Sequence, residues 1–182
     1  MVHFIQTNFT LMITTLTLIS HLIFVSVFIL LFIDSKFRAL VYKFVSKNVL
    51  WLVFLTSLVA MLGSLTYSNV IGFAPCELCW IQRIFIYPQV IISFMALLKK
   101  NKDIVSYLLP LSILGGIVAL YHSLTHFGLG DGLVGCTSAL GDCGKLYVFE
   151  YGYITIPLMS FTIFAYLIGI SIIYYRASKS LG

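Results

Sequence analysis

Charged residues are scarce in this 182-residue chain, in which Asp, Glu, Lys and Arg together account for only 9%. Average soluble domains carry about a quarter of such residues, so the scarcity excludes an ordinary water-soluble fold. Because 60% of the residues are hydrophobic, the bilayer must serve as the solvent for most of the chain. The sequence also lacks the alternation of polar and apolar residues that a membrane β-barrel requires. A bundle of membrane-spanning helices is therefore expected.

Five long apolar runs define the expected helices, each close to the roughly 20 residues that a spanning helix needs. They cover residues 9–33, 49–71, 79–98, 104–124 and 151–175. A single charge, Arg83, falls within them. The sequence thus predicts an all-α, polytopic membrane bundle with five spans.

The basic residues predict the orientation of these spans. Nine of the 11 Lys and Arg residues lie in the segments 34–48, 99–103 and 176–182, which share one side of the membrane if five spans alternate. The positive-inside rule makes that side cytoplasmic. We therefore expect an outward N-terminus, an inward C-terminus, and outward-facing segments 72–78 and 125–150. Such clusters do not form the basic face of a nucleic-acid binder.

The first apolar run is expected to be a retained helix rather than a cleaved signal peptide. Residues 1–8 contain no Lys or Arg, and the run 9–33 is longer than the roughly 7–15 apolar residues of a signal. His21 lies inside this run. An ionisable residue in a span can mark function, but a structural histidine facing a neighbouring helix is the preferred interpretation.

Four cysteines, Cys76, Cys79, Cys136 and Cys143, fall in or beside the two outward-facing segments. An oxidising compartment allows disulfides to form and persist there. The cysteines permit three interpretations: structural disulfides, a zinc site with four thiolates, or redox-active pairs.

The first pair favours the redox interpretation. Cys76 and Cys79 are too close for a crosslink to restrict much of the unfolded chain, and Cys-x-x-Cys pairs often have lowered thiol pKa values. Pro75 favours a helix start at this point, where the helix dipole favours a thiolate. Arg83 follows Cys79 by four residues and shares its helix face, where it could stabilise a thiolate. The alternative is an arginine that extends to the lipid headgroups.

The second pair lies in a glycine-rich segment, with Gly135, Gly141 and Gly144 beside or between Cys136 and Cys143. Glycines predict a mobile loop, and such a loop can present a disulfide to another thiol, since exchange requires access. Taken alone, this pair could equally be a disulfide that closes a small loop.

The motif Pro75-Cys76-Glu77-Leu78-Cys79, with Arg83 four residues further on and a later outward-facing cysteine pair, resembles the DsbB family of disulfide-generating membrane proteins. The similarity is greatest to the BdbC branch and covers roughly residues 48–175. Further matching stretches are Cys79-Trp80-Ile81-Gln82-Arg83-Ile84, Tyr121-His122 and Tyr151-Gly152-Tyr153-Ile154-Thr155-Ile156-Pro157.

This resemblance implies a four-helix redox domain with a quinone, either ubiquinone or menaquinone, at its outer edge. It implies a quinone-dependent protein disulfide oxidoreductase of the plasma membrane. Its expected partner is an extracytoplasmic thioredoxin-fold dithiol oxidase similar to DsbA or BdbD. Electrons would pass from that partner through both cysteine pairs to the quinone pool, in support of disulfide bond formation.

The resemblance also implies a role for each cysteine. Cys136 resembles the loop cysteine that the partner attacks, and Cys143 resembles its disulfide partner. Cys76 resembles the member of the first pair that exchanges with the loop pair, and Cys79 resembles the cysteine that reacts with the quinone.

Two cofactor-binding residues follow from the same resemblance. Arg83 resembles the arginine beside the quinone, where it could stabilise the charge on the reduced ring. His122 resembles the histidine near the ring, and His126, four residues further on, could compete for that role.

The chain departs from the four-helix pattern in two ways. Residues 1–47 add an N-terminal transmembrane helix and a basic cytoplasmic linker before the redox domain at 48–182. Only six residues separate the loop cysteines, too few for the membrane-lying helix found there in long-loop relatives. Residues 144–153 could lie at the membrane interface instead.

Three other functions fit the sequence less well. A vitamin K epoxide reductase-like quinone reductase would have its loop pair before the Cys-x-x-Cys pair, the reverse of the order here. A non-catalytic membrane scaffold stabilised by zinc or disulfides would be favoured by bound metal after purification, with all four cysteines unreactive to thiol reagents. A transporter has little support, because there is no internal repeat and only one charge within a span.

Overall fold

The computed structural model describes residues 2–126 and 143–181, and describes the side chains of residues 6–126 and 143–179. These ranges contain five α-helices: α1 (Val2–Ile33), α2 (Ser35–Leu65), α3 (Glu77–Lys99), α4 (Val105–His126) and α5 (Ile156–Leu181). Within the described ranges, β-pairing is limited to one isolated bridge between Glu150 and Ile154. The expected all-α fold is confirmed.

All five helices are long and apolar enough to cross a membrane, which confirms the five expected spans and a multi-pass membrane protein. The basic segment 34–48, expected as a linker, forms the first turns of α2. Asp34 caps this helix, because its carboxylate accepts the backbone N–H groups of Lys36 and Phe37. At its other end α2 continues into a short π-helical stretch, Thr66–Val70, a feature often found at functional sites.

Helices that follow one another in the chain run antiparallel. Phe54 of α2 contacts Phe94 of α3 with ring centroids 5.6 Å apart, and Lys102 after α3 donates to the carbonyl of Ser46 near the start of α2. The three basic segments therefore meet at one end of the bundle, which we call the basic end. The opposite end, where α3 and α5 begin and α4 finishes, carries Cys76, Cys79 and Cys143, and we call it the cysteine end.

The core is shared by α2, α3, α4 and α5, and α4 and α5 approach each other closely within it. A Cβ atom added to Gly115 of α4 would lie 2.3 Å from the ring of Phe164 on α5, so glycine is required for this close approach. Phe164 is only 1% exposed. Small residues at such contacts let membrane helices pack tightly without a hydrophobic driving force.

The first helix is attached differently. Its most apolar stretch has a mean hydropathy of 2.7, yet 0% of that stretch is buried. Hydrogen bonds between side chains fasten it instead: Ser20 accepts from Tyr166 of α5 over 2.8 Å, and Thr15 bonds to the Tyr151 hydroxyl over 2.8 Å. α1 thus lies at the periphery of the bundle, fixed by polar contacts to Tyr151 and to α5.

Candidate active site at the cysteine end

The first cysteine pair occupies the start of α3, as the sequence predicts. Cys76 is the N-cap residue, and its Sγ accepts the backbone N–H of Cys79 over 3.4 Å. The two Sγ atoms are 3.0 Å apart and both thiols are free, since a disulfide would place them about 2.05 Å apart. The structure therefore presents this pair in its reduced form.

Cys76 has the character of a thiolate. The hydrogen bond from Cys79, followed by a hydrogen bond from His122 and the electrostatic attraction of that histidine, outweighs burial and lowers the pKa of the Cys76 thiol to about 4. Its side chain is 4% exposed, whereas that of Cys79 is half-buried. The pair thus combines a buried thiolate with a more accessible thiol.

His122 is held in one tautomer by its neighbours. Its Nε2 lies 3.3 Å from the carbonyl oxygen of Cys143 and 3.7 Å from Cys76 Sγ. Both are acceptors, so Nε2 carries the proton. The Nδ1 atom is then an acceptor, and it receives a hydrogen bond from the Gln82 amide nitrogen 3.0 Å away. Gln82 therefore orients the histidine so that its N–H faces the sulfur.

Cys143 brings the second cysteine pair to the same place. Its side chain is disulfide-bonded and packs with Cys76 and Leu78 in one buried cluster. Its carbonyl oxygen also accepts from His126 Nε2 over 2.7 Å. His126 therefore fixes the backbone of the loop cysteine, while His122 is the histidine that faces Cys76. Cys136 lies outside the described residues.

Arg83 turns towards α2. Its Nε donates to the hydroxyl of Ser64 over 3.0 Å, and an NH2 group donates to the Ser64 carbonyl over 3.3 Å. Tyr87 donates to the same hydroxyl, and the guanidinium lies over the Trp80 ring, 5.0 Å from its centroid. The charge is therefore positioned by protein groups, which argues against an arginine that merely reaches for lipid headgroups.

These side chains surround a cavity of about 360 Å³ with mostly apolar walls. Five of the six predicted site residues line it, namely Cys76, Cys79, Arg83, His122 and Cys143. Binding sites for small molecules commonly enclose about 300–1,000 Å³ of apolar space with a few polar groups at fixed positions. The cavity has this character, with its polar groups gathered at the thiols.

A metal ion is the competing occupant of the thiol pair. The Sγ atoms of Cys76 and Cys79 and a ring nitrogen of His122 lie within 4.8 Å of one another. Structural zinc sites use four protein ligands, and the thiol of Cys143 is already committed to a disulfide. Among the described residues this set offers three ligands, which suits a scaffold less well than a redox pair.

The chain matches the family model "Disulfide bond formation protein DsbB" over residues 46–174. It belongs to the DsbB family. The SPbeta prophage-derived disulfide bond formation protein B of Bacillus subtilis is 39% identical over 135 residues, which are 74% of this chain and 90% of that relative. Disulfide bond formation protein C of the same organism is 38% identical over 113 residues, 62% of this chain and 81% of the relative.

A more distant relative extends the family beyond Bacillus. A probable disulfide formation protein of Coxiella burnetii is 33% identical over 121 residues, which are 66% of this chain and 82% of that relative. No solved structure matches the chain. The resemblance inferred from the cysteine motifs is confirmed, and the chain is a disulfide oxidoreductase of the membrane. α1 lies outside the matched residues.

Two residues of the site had no role assigned from the sequence. Gln82 follows Cys79 by three residues and so shares its helix face, which is a signal that could have been used. Ser64 is one of several hydroxyl residues near the end of α2, and nothing in its position distinguishes it. Its role depends on a contact between residues that are 19 positions apart.

Proposed function

We propose that the chain reoxidises a thioredoxin-fold dithiol oxidase similar to DsbA or BdbD and delivers the electrons to a membrane quinone. The observation that carries this proposal is the packing of Cys143 against Cys76 beside the cavity. Sulfur atoms of two redox pairs must approach each other for exchange, and this contact supplies that approach.

The first exchange takes place at the loop. A thiolate of the reduced partner attacks the sulfur of Cys136, forming a mixed disulfide and releasing Cys143 as a thiolate. Cys143 then attacks Cys76 in the oxidised Cys76–Cys79 disulfide, and Cys79 leaves as a thiolate that faces the cavity.

The second exchange restores the loop. The partner's other thiolate attacks the mixed disulfide, so the partner departs oxidised and Cys136 becomes a thiolate. Cys136 then attacks Cys143, which reforms the loop disulfide and releases Cys76. The low pKa of Cys76 makes it a good leaving group. The two electrons now reside on Cys76 and Cys79, with the Cys143 disulfide intact, as in the structure.

The cavity suits a quinone, which is apolar apart from its two carbonyl oxygens. A bound quinone accepts two electrons and two protons, and this oxidation would reform the Cys76–Cys79 disulfide. Cys79 offers the accessible sulfur, and Arg83 offers a fixed positive charge for the oxygen that gains electrons. The apolar walls exclude water from these charges.

The orientation proposed with this function places the cysteine end on the extracytoplasmic side of the plasma membrane, because the basic end gathers most of the Lys and Arg residues. A cysteine-free variant with Lys145→Cys should react in intact cells with a maleimide that cannot cross membranes. The matched variant with Lys100→Cys should react only after lysis. The reverse pattern would contradict the orientation.

The decisive experiment measures quinone reduction by the purified full chain in nanodiscs, with a reduced thioredoxin-fold oxidase as electron donor. Cys79→Ser should abolish the reaction, and Arg83→Ala should slow it by about 100-fold, within the range found when an electrostatic donor is removed. Ile84→Ala, at a side chain 64% exposed on the same helix, should leave the rate unchanged. Undiminished quinone reduction by Cys79→Ser would refute the proposed relay.

A further inference from the structure

The cavity beside the thiols has a wall that the family match does not include. Four residues of α1 line it: Ile13, Leu16, Thr17 and Ser20. Their spacing of three, four and seven residues places them on one face of the helix. The family match begins at residue 46, so this wall belongs to the additional helix.

The cavity extends well below the thiols. On α5 its lining runs from Ile156 to Tyr166, and ten residues of helix correspond to about 15 Å along the bundle. The thiols lie at the upper end, at the start of α3. The lower end is enclosed by Val59, Ile86 and Tyr166 together with Ser20 of α1. A molecule in the cavity would therefore have one end at the sulfurs and the other beside α1.

The contacts of α1 keep this space open. Ser20 accepts from Tyr166, and His21 bonds to Thr162 over 2.9 Å, so polar side chains bridge α1 and α5. Helices that pack directly do so through small residues, as at Gly115 and Phe164. Because α1 is joined to α5 by long side chains, a slot remains between the two helices.

We propose that α1 forms the lateral wall of the quinone site and holds the apolar tail of the quinone against Leu16, Thr17 and Ser20. This inference rests on the proposed function and adds that α1 recognises the tail of the quinone. The quinone ring lies at the cysteine end, and the tail runs down the slot between α1 and α5. A lipid acyl chain is the competing occupant of the same slot.

The test is photolabelling of the full chain in phosphatidylcholine nanodiscs. The probe is a benzoquinone that carries an aryl azide at the end of a ten-carbon tail. Label should appear in the α1 peptide that contains residues 13–20, and an excess of unlabelled decylubiquinone should remove it. Label on α1 that decylubiquinone does not remove would assign the slot to lipid and overturn the proposal.

Two further results separate this inference from the function on which it rests. Label that decylubiquinone removes from α2, α3 or α5, with none on α1, would overturn the α1 wall and leave quinone binding intact. The absence of any label that decylubiquinone removes would refute the quinone site itself.

A matched pair of variants measures the contribution of the wall. Thr17→Phe fills the slot and should weaken decylubiquinone binding at least tenfold, read from quenching of Trp80 fluorescence in a Trp51→Phe background. Leu22→Phe, at a side chain that is 63% exposed on α1, should bind as the parent does. Ile13→Phe tests the same wall if Thr17→Phe unfolds. Equal binding by a folded wall variant and the control would contradict the proposal.

Discussion

His122 and His21 lie in different membrane-spanning helices, and each forms hydrogen bonds through both ring nitrogens, but only His122 faces a sulfur atom. His122 of α4 bonds to Gln82 on one side and faces Cys76 and the Cys143 carbonyl on the other. The ring nitrogens of His21 on α1 instead bond to two hydroxyl groups, those of Tyr153 and Thr162. Hydrogen bonding makes a histidine tolerable in a membrane, and the group opposite its N–H decides its role.

The partners of His21 assign its tautomer too. Thr162 donates its own proton to the carbonyl of Leu158, so its oxygen accepts from the Nε2–H of His21. Tyr153 then donates to Nδ1 over 3.1 Å. Both histidines thus donate through Nε2 and accept at Nδ1, and they differ in the group that each Nε2–H faces. His122 faces a thiol that ionises, whereas His21 faces a threonine that does not.

The largest expected effect comes from removing the histidine that faces sulfur. His122→Phe should raise the pKa of the Cys76 thiol from about 4 towards its ordinary value of 9.0, because both the hydrogen bond and the electrostatic attraction of the imidazole are lost. In the parent, Cys76 should remain a thiolate as the pH falls to about 4. In the variant, Cys76 should become protonated at a higher pH than this. The rate of iodoacetamide alkylation against pH measures this. The rate of quinone reduction, with the reduced thioredoxin-fold oxidase as electron donor, should fall at least 100-fold.

Gln82→Leu should have a smaller effect on the same Cys76 pKa. It keeps the imidazole but frees Nδ1 from its hydrogen bond, so the ring is no longer held in one orientation. The pKa of Cys76 should rise by less than in His122→Phe, and Gln82→Asn should recover part of the difference. A Cys76 pKa that remains near 4 in His122→Phe would show that the neighbouring thiol alone stabilises the thiolate.

Helices α4 and α2 should differ in how their stability responds to a methyl group added at a glycine. Gly115→Ala on α4 places a methyl group within 2.3 Å of the Phe164 ring and should destabilise the fold by about 1–3 kcal/mol, the usual cost of overpacking. Gly63→Ala on α2 meets nothing within 4 Å and should be neutral or slightly stabilising. Thermal unfolding in detergent compares them. Equal midpoints would contradict the tight contact between α4 and α5.

The fold was predictable because each span needs about 20 apolar residues, and a run of that length is visible without knowledge of its neighbours. The same reasoning could not reveal how each helix is packed. The run containing His21 is the most hydropathic of the five and is the least buried, since lipid and protein satisfy apolar side chains equally. Burial in a membrane protein therefore depends on close contacts such as that of Gly115, which hydropathy does not record.

The site was predictable where chemistry is concentrated in a short motif. Cys76, Cys79 and Arg83 share one helix face, and the structure places all three on one cavity. Contacts between distant segments, such as Gln82 with His122 or Arg83 with Ser64, depend on how α3 packs against α2 and α4. The helical period predicts which side chains share one face of a helix. It does not predict which residues of other helices that face contacts.

The smallest expected effect is at the other histidine. His21→Phe removes the hydrogen bonds to Tyr153 and Thr162, and side-chain hydrogen bonds between membrane helices contribute about 0.6 kcal/mol each on average. A loss of about 1 kcal/mol should lower the thermal midpoint by a few degrees, with thiol exchange at the cysteines within twofold of the parent. Ser26→Ala, which removes a bond within α1 to the Leu22 carbonyl, should change neither. A loss of the Cys76 thiolate in His21→Phe would mean that the two histidines are coupled, because the hydroxyl groups of Tyr153 and Thr162 are the partners of His21 among the described residues.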